Sequence, residues 1–530
     1  MGLSIRNGFV YDDVLAIVQN PRVTDPSLWH TIPGSSYWLG GLWRPLTIAG
    51  FAVQWWIGGG TPWVFHFVLL ASYLGTGLLL YAFLRRLSIG AYPALAAVLL
   101  FLVHPVHVEV VANGVGQAEL WSALAMLTAA SIYLRARQTA VTGVAIGGLL
   151  VCVTLGVASK EQGFTIPLVL AGIEGLILAN RGESPATRVR LLVPVTALTL
   201  LLLAVRAAIL GGVKGETSAM ALRGLGLGGR MTTFLAVVPE YARLLIWPAH
   251  LQADYGPPGI PVGGPLTPRH LIGVVLVAGT LALLAYTRRR NAAAALGLWW
   301  AIVTLGPVSN LLTATGLVMA ERVLFLPSIG LAIALGAAVQ ARQAANGVTP
   351  RASDRVARAA GWQTLGFTTV LVVWGVGLTV RSATRVDTWR TQRQFYVALP
   401  RDAPLAYRAW KGAAEYWEGA GDHPRAIAML RHALELWPRD YQVNERLGQF
   451  LRTDGQCAAA IPVLAAGVKL DPDVSSMRAK LIECAITERQ WEIADRYAAD
   501  AVELGQTEFL SVRMRVARQR TAAESTARPP

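Results

Sequence analysis

Three short runs of this chain gather residues that can move protons, hold anions or ligate metal. Asn7-Gly8-Phe9-Val10-Tyr11-Asp12-Asp13 ends on two adjacent carboxylates. His104-Pro105-Val106-His107-Val108-Glu109 sets two imidazoles beside an acid, with Glu119 further on. Ser159-Lys160-Glu161-Gln162-Gly163 places a cation against an acid. Arg44, Arg206, Asp254 and the pair Glu321-Arg322 add further charges. These charges gather at the ends of apolar stretches. A charge at the centre of a membrane-spanning helix costs about 2.5–3.5 kcal/mol even on lenient scales, so each is a functional candidate by default.

Each candidate also has a plain structural role. Two imidazoles at i and i+3 with an acid nearby can chelate a borderline divalent metal such as zinc. Pro105 disfavours helical geometry at His104, however, so His104, His107 and Glu109 need not share a face. Asp12 and Asp13 can form an Asx-type turn or cap before Val14-Leu15-Ala16. Lys160-Glu161 and Glu321-Arg322 can be ion pairs at helix ends, and Glu119 can cap the helix it opens. Arg206 can snorkel to an interface. Tyr37, Trp38, Trp43, Trp55 and Trp56 are placed as interfacial anchors or as stacking partners for a ligand.

The elements that must position these groups are membrane helices. Of the 530 residues, 54% are hydrophobic and 15% charged, and the mean hydropathy is +0.44. Apolar windows near 62–86, 90–106, 117–136, 139–158, 163–180, 189–211, 269–287, 292–312, 322–341 and 360–383 predict spans of about 30 Å of hydrocarbon. Met1 to Asp13 has no apolar run of the kind a cleavable signal peptide needs. The net charge of +15 resides mostly in Arg at loop edges, a membrane-topology signal rather than one for nucleic acid. Rare Lys beside abundant Arg, Ala and Gly points to a GC-rich genome, hence a bacterium and its inner membrane.

The basic residues orient the spans. Arg85, Arg86, Arg135, Arg137, Arg181, Arg188, Arg190, Arg288, Arg289, Arg290, Arg342, Arg351, Arg355 and Arg358 are expected on the cytoplasmic side. The outward loops then carry Asp12, Asp13, the stretch from His104 to Glu119, Lys160, Glu161, Asp254, Glu321 and Arg322, together with everything after residue 384. Segment 231–248 contains Pro239, Glu240 and Arg243 and would break this parity. It is expected to be re-entrant or interfacial, with a true span as the rival.

The tail repeats at a 34-residue period. Ala426, Ala460 and Ala494 are in step, as are Leu436, Leu470 and Leu504; Pro438 matches Pro472, and Gly421 matches Gly455. This is the tetratricopeptide pattern, expected over 405–438, 439–472 and 473–506. Such solenoids bind extended polypeptide on a concave face. No spacing of Cys152, Cys457 and Cys484 argues for zinc. A disulfide between Cys457 and Cys484 is an option if the tail lies outside the cytoplasm.

In order as well as in wording, the motifs resemble the transmembrane and tetratricopeptide-repeat-containing O-mannosyltransferase family. The resemblance rests on the Asn7–Asp13 run with Ala16-Ile17-Val18-Gln19-Asn20-Pro21, Trp43-Arg44-Pro45-Leu46-Thr47, the His104 and Ser159 runs, Ala253-Asp254-Tyr255, and Ala320-Glu321-Arg322-Val323-Leu324-Phe325-Leu326-Pro327-Ser328. It extends from about residue 7 to residue 507. It implies an all-α, GT-C type membrane glycosyltransferase followed by a tetratricopeptide α-solenoid. The donor would be a polyprenyl-phosphate sugar, mannose or a similar hexose. The acceptor would be a hydroxyl of protein Ser or Thr, recruited through the repeats on the periplasmic face. No cofactor is certain, and a divalent metal is an option.

By this resemblance Asp12 or Asp13 is the candidate base for the acceptor hydroxyl. Arg44, Lys160, Arg206 and Arg322 are candidate donor-phosphate ligands, Arg as a planar fork and Lys as a point charge. His104, His107, Glu109, Glu119, Glu161, Asp254 and Glu321 would line the cavity. The domains are expected as 1–61, a first outer loop with juxtamembrane helices; 62–384, the multi-span bundle; 385–404, a linker; 405–507, three repeats; and 508–530, a partly disordered tail. Two departures stand out. The family carries a helix before the Asp-Asp loop, whereas this chain starts almost on that loop. Gln117 stands where the family usually has Arg. A non-catalytic membrane scaffold organising envelope proteins is the alternative function. A transporter would instead need charges near the bilayer midplane and an internal repeat of the spans.

Overall fold

The computed structural model describes residues 1–37, 41–178, 185–212, 219–345 and 354–526. Trp38, Arg181, Arg351 and the last four positions of the expected tail lie outside the described residues. What is described is all-α: no strand occurs among these residues, which hold isolated bridges such as the antiparallel one between Pro258 and Ala406. The chain divides into two compact units, one of Met1–Ala253 with Val262–Ala398 and one of Asp254–Pro261 with Leu399–Pro530.

Among the described residues of the first unit, four helices are long and apolar enough to cross a membrane: Pro62–Arg86, Thr187–Ile209, Pro268–Arg290 and Glu321–Ala344. A fifth candidate is Ala91–Leu102 with Pro105–Ala112, bent by 52°. The bend has the cause expected of Pro105. His104 sits at φ −70, ψ 125, outside helical geometry, and its ring accepts from the Val106 amide to restart the chain. Of the other expected windows, 117–136 lies in the continuous helix Gln117–Gln138 and 360–383 in Asp354–Asp387, whereas the rest are shorter or broken. Gly143–Ser159 has 17 residues and Ala292–Leu305 has 14, about 26 Å and 21 Å at 1.5 Å per residue. The expected span 163–180 begins as a 3-10 turn at Glu161–Thr165, becomes α-helical at Ile166–Gly172, and widens into a π turn at Ile173–Ile177. That turn carries Glu174, which accepts from Tyr133 and Arg137 and forms an ion pair with Arg188.

Burial sorts the helices. Only 11% of the apolar window of Pro268–Arg290 is buried, against 72% for Glu321–Ala344. The first exposes Leu271, Val275 and Leu281 as a lipid-facing helix does, while the second is central. The core holds Tyr73, Phe83, Tyr133, Trp300 and Phe325, all essentially inaccessible.

Segment 231–248 is helical without a break as far as Ile246. Leu227–Ile246 is one continuous 20-residue helix with Pro239 inside, and it is not among the helices apolar enough to span. Proline has no amide to give the carbonyl four residues back. That Leu235 carbonyl lies against Gly273 of the neighbouring helix, where a Cβ would overlap it. Arg269 Nε donates to the next carbonyl, Ala236, at 2.7 Å. The proline break is thus absorbed by a glycine and an arginine of the adjacent helix.

Residues 385–398, expected as linker, pack into the first unit. Trp389 is fully buried, Tyr11 meets Phe395 with ring centroids 4.9 Å apart, and the Gly8 amide donates to Arg390 O at 3.0 Å.

The second unit is a tetratricopeptide-type solenoid. Helices start at Tyr407, Tyr441 and Ser475, and their partners at His423, Cys457 and Trp491, so both series keep the 34-residue register of the sequence. Gly421 and Gly455 turn the chain at φ +81 and +75, and Arg489 holds the equivalent place at φ +56. Within the tail expected as partly disordered, Phe509–Thr526 is helical, and Phe509 and Val516 bury against the repeat core. Cys457 and Cys484 are buried free thiols. Asp254 belongs to this unit and pairs with Arg408 at 3.3 Å, beside the Tyr407 amide that donates to Pro257 O.

Candidate active site

The first loop is fixed before its acids are placed. Asn7 Nδ2 donates to Ala112 O at 3.3 Å. Tyr11 then turns the chain at φ +57, a conformation uncommon outside glycine, and the two acids that follow part company.

Asp13 is fully buried. Its oxygens accept from the amides of Gly114, at 3.0 Å, and Val115, at 2.9 Å. Burial pushes its carboxyl up to about 7, against the pull of those amides, with Asp12 adding to the rise. Asp12 turns instead to Arg322, 2.9 Å from Nη1. The same Nη1 donates to Glu109 at 2.9 Å, and the Arg322 amide donates to the other Glu109 oxygen. Asp12 keeps about a fifth of its side chain exposed, whereas Glu109 keeps almost none.

The remaining cations arrive from other elements. The helix Pro45–Gly58 begins after Arg44, and Thr47 Oγ1 ties its first turn to Ser159 O at 3.0 Å. Arg44 thereby meets Glu161 in a fork, Nη2 at 2.7 Å and Nε at 3.2 Å. Burial would raise the Glu161 carboxyl, but Arg44 outweighs it and holds the acid below its ordinary range. Lys160 pairs with Glu119 across to the helix Gln117–Gln138. The Lys160 turn closes tightly because Gly163 lies on the Gly156 carbonyl, leaving no room for a Cβ.

These pairs share one neighbourhood. Burial lowers the Lys160 ammonium below its usual range; Glu119 pulls it back up, and Arg44 and Arg322 push it further down. One ammonium thus lies within electrostatic reach of both guanidiniums. Arg44, Lys160 and Arg322 are held by the carboxylates of Glu161, Glu119, Asp12 and Glu109. Such an arrangement can receive an anion: a phosphate can exchange for the carboxylates that now hold these cations.

Other candidates stand apart. His107 is buried between the Tyr73 hydroxyl, at 2.9 Å, and Ser328 Oγ, at 2.8 Å. His104 Nε2 lies 3.2 Å from Leu245 O. Glu109 is taken by Arg322, so the expected metal set does not converge. No group of three His, Cys, Asp or Glu side chains fit for a metal occurs among the described residues. Glu321 accepts from the Gln252 amide at 2.5 Å, and Arg206 Nη2 donates to Gly41 O at 3.4 Å. Gln117 is fully buried and exchanges two hydrogen bonds of 2.8 Å with Gln54. Sequence reasoning missed that amide pair, whose partners are 63 residues apart. It also passed over the Tyr37 hydroxyl, because an aromatic at a membrane edge reads first as an anchor.

No family model matches the chain. The protein O-mannosyl-transferase TMTC3 of Mus musculus is 24% identical over 482 residues, 83% of this chain and 50% of the relative. TMTC1 of Homo sapiens is 25% identical over 510 residues, covering 85% and 55%. Tmtc2 of Drosophila melanogaster is 30% identical over 271 residues, covering 48% and 29%. Among solved structures, the crystal structure of the yeast Tom70 aligns with 77% of this chain and 89% of that one, at 12% identity and a TM-score of 0.22, too low to bear on the fold. The chain therefore spans about half the length, or less, of these curated relatives, and over most of its own length it is similar to proteins named protein O-mannosyl-transferases.

Proposed function

We propose that this chain is a GT-C type membrane glycosyltransferase. It moves a hexose, mannose or a similar sugar, from a polyprenyl-phosphate donor to a hydroxyl acceptor on the extracytoplasmic face. The observation that carries this reading is the convergence of Asp12, Arg322 and Glu109 with Lys160–Glu119 and Arg44–Glu161.

In the reaction, Asp12 takes the proton of the acceptor hydroxyl as its oxygen bonds to the anomeric carbon. The bond from that carbon to the phosphate oxygen breaks through an oxocarbenium-like state. Arg44, Lys160 and Arg322 stabilise the charge that collects on the departing polyprenyl phosphate. Asp13 positions the loop and stays out of the chemistry. The names of the relatives support a protein Ser or Thr as acceptor, and the repeat unit is the element suited to present an extended one. Arg at the opposite helix ends supports the assignment of the site to the outer face.

The test is release of polyprenyl phosphate from dolichyl-phosphate mannose and undecaprenyl-phosphate sugars by the purified full chain with a protein acceptor. Release that requires Asp12 supports the transferase. Retention of protein binding by the repeats, with no release from any donor, would favour the scaffold instead.

A further inference from the structure

The Tyr37 hydroxyl is buried and has no hydrogen-bond partner among the described residues, on a residue 6% exposed. Burying a hydroxyl without a partner costs its hydration and returns nothing. Tertiary contacts hold the side chain in place all the same. Its ring belongs to the apolar cluster of Ile17, Ile32, Ile48 and Val115, and its amide donates to Leu42 O at 2.6 Å. The Arg44 guanidinium sits over the ring, 5.0 Å from its centroid.

The surroundings of the phenol are those of the site. Burial raises it above its ordinary range; Arg44 pulls it down, and Asp12, Glu119 and Asp13 push it up. It therefore stays protonated at neutral pH and acts as a donor. The acids near it hydrogen-bond to other groups: Asp12 to Arg322, Asp13 to two amides, Glu119 to Lys160. What the phenol lacks is an acceptor, and an anion that engages Arg44 comes within its reach.

We infer that Tyr37 donates a hydrogen bond to a phosphate oxygen of the bound glycosyl phosphate, completing with Arg44 the cradle for the leaving group. This rests on the transferase reading above. The bond strengthens as negative charge collects on that oxygen, so its loss falls more on kcat than on KM.

The experiment compares the full-length wild type with Tyr37→Phe, which removes one oxygen and keeps the ring under Arg44. Both are assayed in detergent with dolichyl-phosphate mannose and a protein acceptor, and their thermal unfolding is measured without donor. The expected result is a fall of about 10- to 100-fold in kcat/KM, mostly in kcat, with an unfolding midpoint equal to or above that of wild type. Activity within twofold of wild type overturns the inference and leaves the transferase standing. A clearly lowered midpoint overturns it too, since the hydroxyl would then have a partner within the folded chain. A wild type that releases no polyprenyl phosphate and gains no thermal stability from the donor defeats the transferase reading, and this inference with it.

Discussion

The Asp12 carboxylate lies 2.9 Å from the Arg322 guanidinium, joining residues 310 positions apart. Arg322 also holds Glu109 at 2.9 Å, so the two sides of this junction are unequal. Asp12→Asn leaves Arg322 paired with Glu109. Arg322→Gln strands two carboxylates, one of them almost wholly buried. Removing one partner of a buried pair costs about 3–5 kcal/mol. Thermal unfolding in detergent is expected to show a large drop for Arg322→Gln and a change under about 1 kcal/mol for Asp12→Asn, an exposed-pair magnitude. Equal drops would contradict the shared pairing.

Asp13 is expected to behave oppositely to its neighbour. Asp13→Ala leaves the buried amides of Gly114 and Val115 without acceptors, at about 1–3 kcal/mol each. Its unfolding midpoint should fall well below that of Asp12→Asn. A midpoint matching wild type would remove the anchoring role.

The same residue predicts a pH dependence. In the folded chain its carboxyl titrates at about 7, against 3.8 in the unfolded chain. Below that lower value both states are protonated. Between the two values the folded chain keeps a proton that the unfolded chain has lost, so stability falls as pH rises through this window and levels off above it. The full effect is on the order of 4 kcal/mol. Unfolding midpoints of wild type and Asp13→Asn, compared from pH 4 to 8, should show the slope in the wild type and a flatter profile in the variant. Parallel profiles would sink the assignment.

How much of this could be read from the chain depends on the kind of signal. The 34-residue register is legible because each helix pair buries the same face, and the second helix of each pair runs from three residues before the repeating alanine to the repeating leucine or the residue before it. The apolar windows are legible for the same reason, although length alone could not show that Ile173–Ile177 widens around Glu174. The charged motifs announced the site, but their pairing was hidden. Nothing local distinguishes Asp12 from Asp13, because the difference is made by Arg322 and by the amides at 114 and 115. His107 carried a metal-like spacing, yet Tyr73 and Ser328 occupy both its nitrogens. Residues 385–398 look like linker until Trp389 and Phe395 find their aromatic partners.

Gln117 gives a prediction of its own. The reciprocal amide pair with Gln54 is sealed inside the bundle. Gln117→Arg places a charge there without an acid and should cost roughly 2–4 kcal/mol. Gln54→Glu in the same chain should restore part of it. Thermal unfolding of the single and double variants decides, and a neutral single variant would show that the position opens onto the charged site.

In the repeat unit, Arg489 adopts φ +56 where Gly421 and Gly455 stand in the preceding repeats. A left-handed conformation costs a non-glycine residue about 1–2 kcal/mol. Arg489→Gly should therefore stabilise the protein by roughly 0.5–1 kcal/mol, after the entropy glycine adds to the unfolded chain. Chemical denaturation followed on the repeat unit checks it, and a loss of stability would mean that the arginine side chain contributes more than the strain removes.

The most direct test of the account is a single-turnover measurement of polyprenyl phosphate released from dolichyl-phosphate mannose by the purified full chain with a protein acceptor, run beside Asp12→Asn and Asp13→Asn. The account predicts release by the wild type and a loss of at least about 100-fold in Asp12→Asn. In Asp13→Asn any loss should be small and should follow the change in its unfolding midpoint. Undiminished release by Asp12→Asn would contradict the assignment of Asp12 as the base, and no release by a folded wild type would contradict the transferase itself.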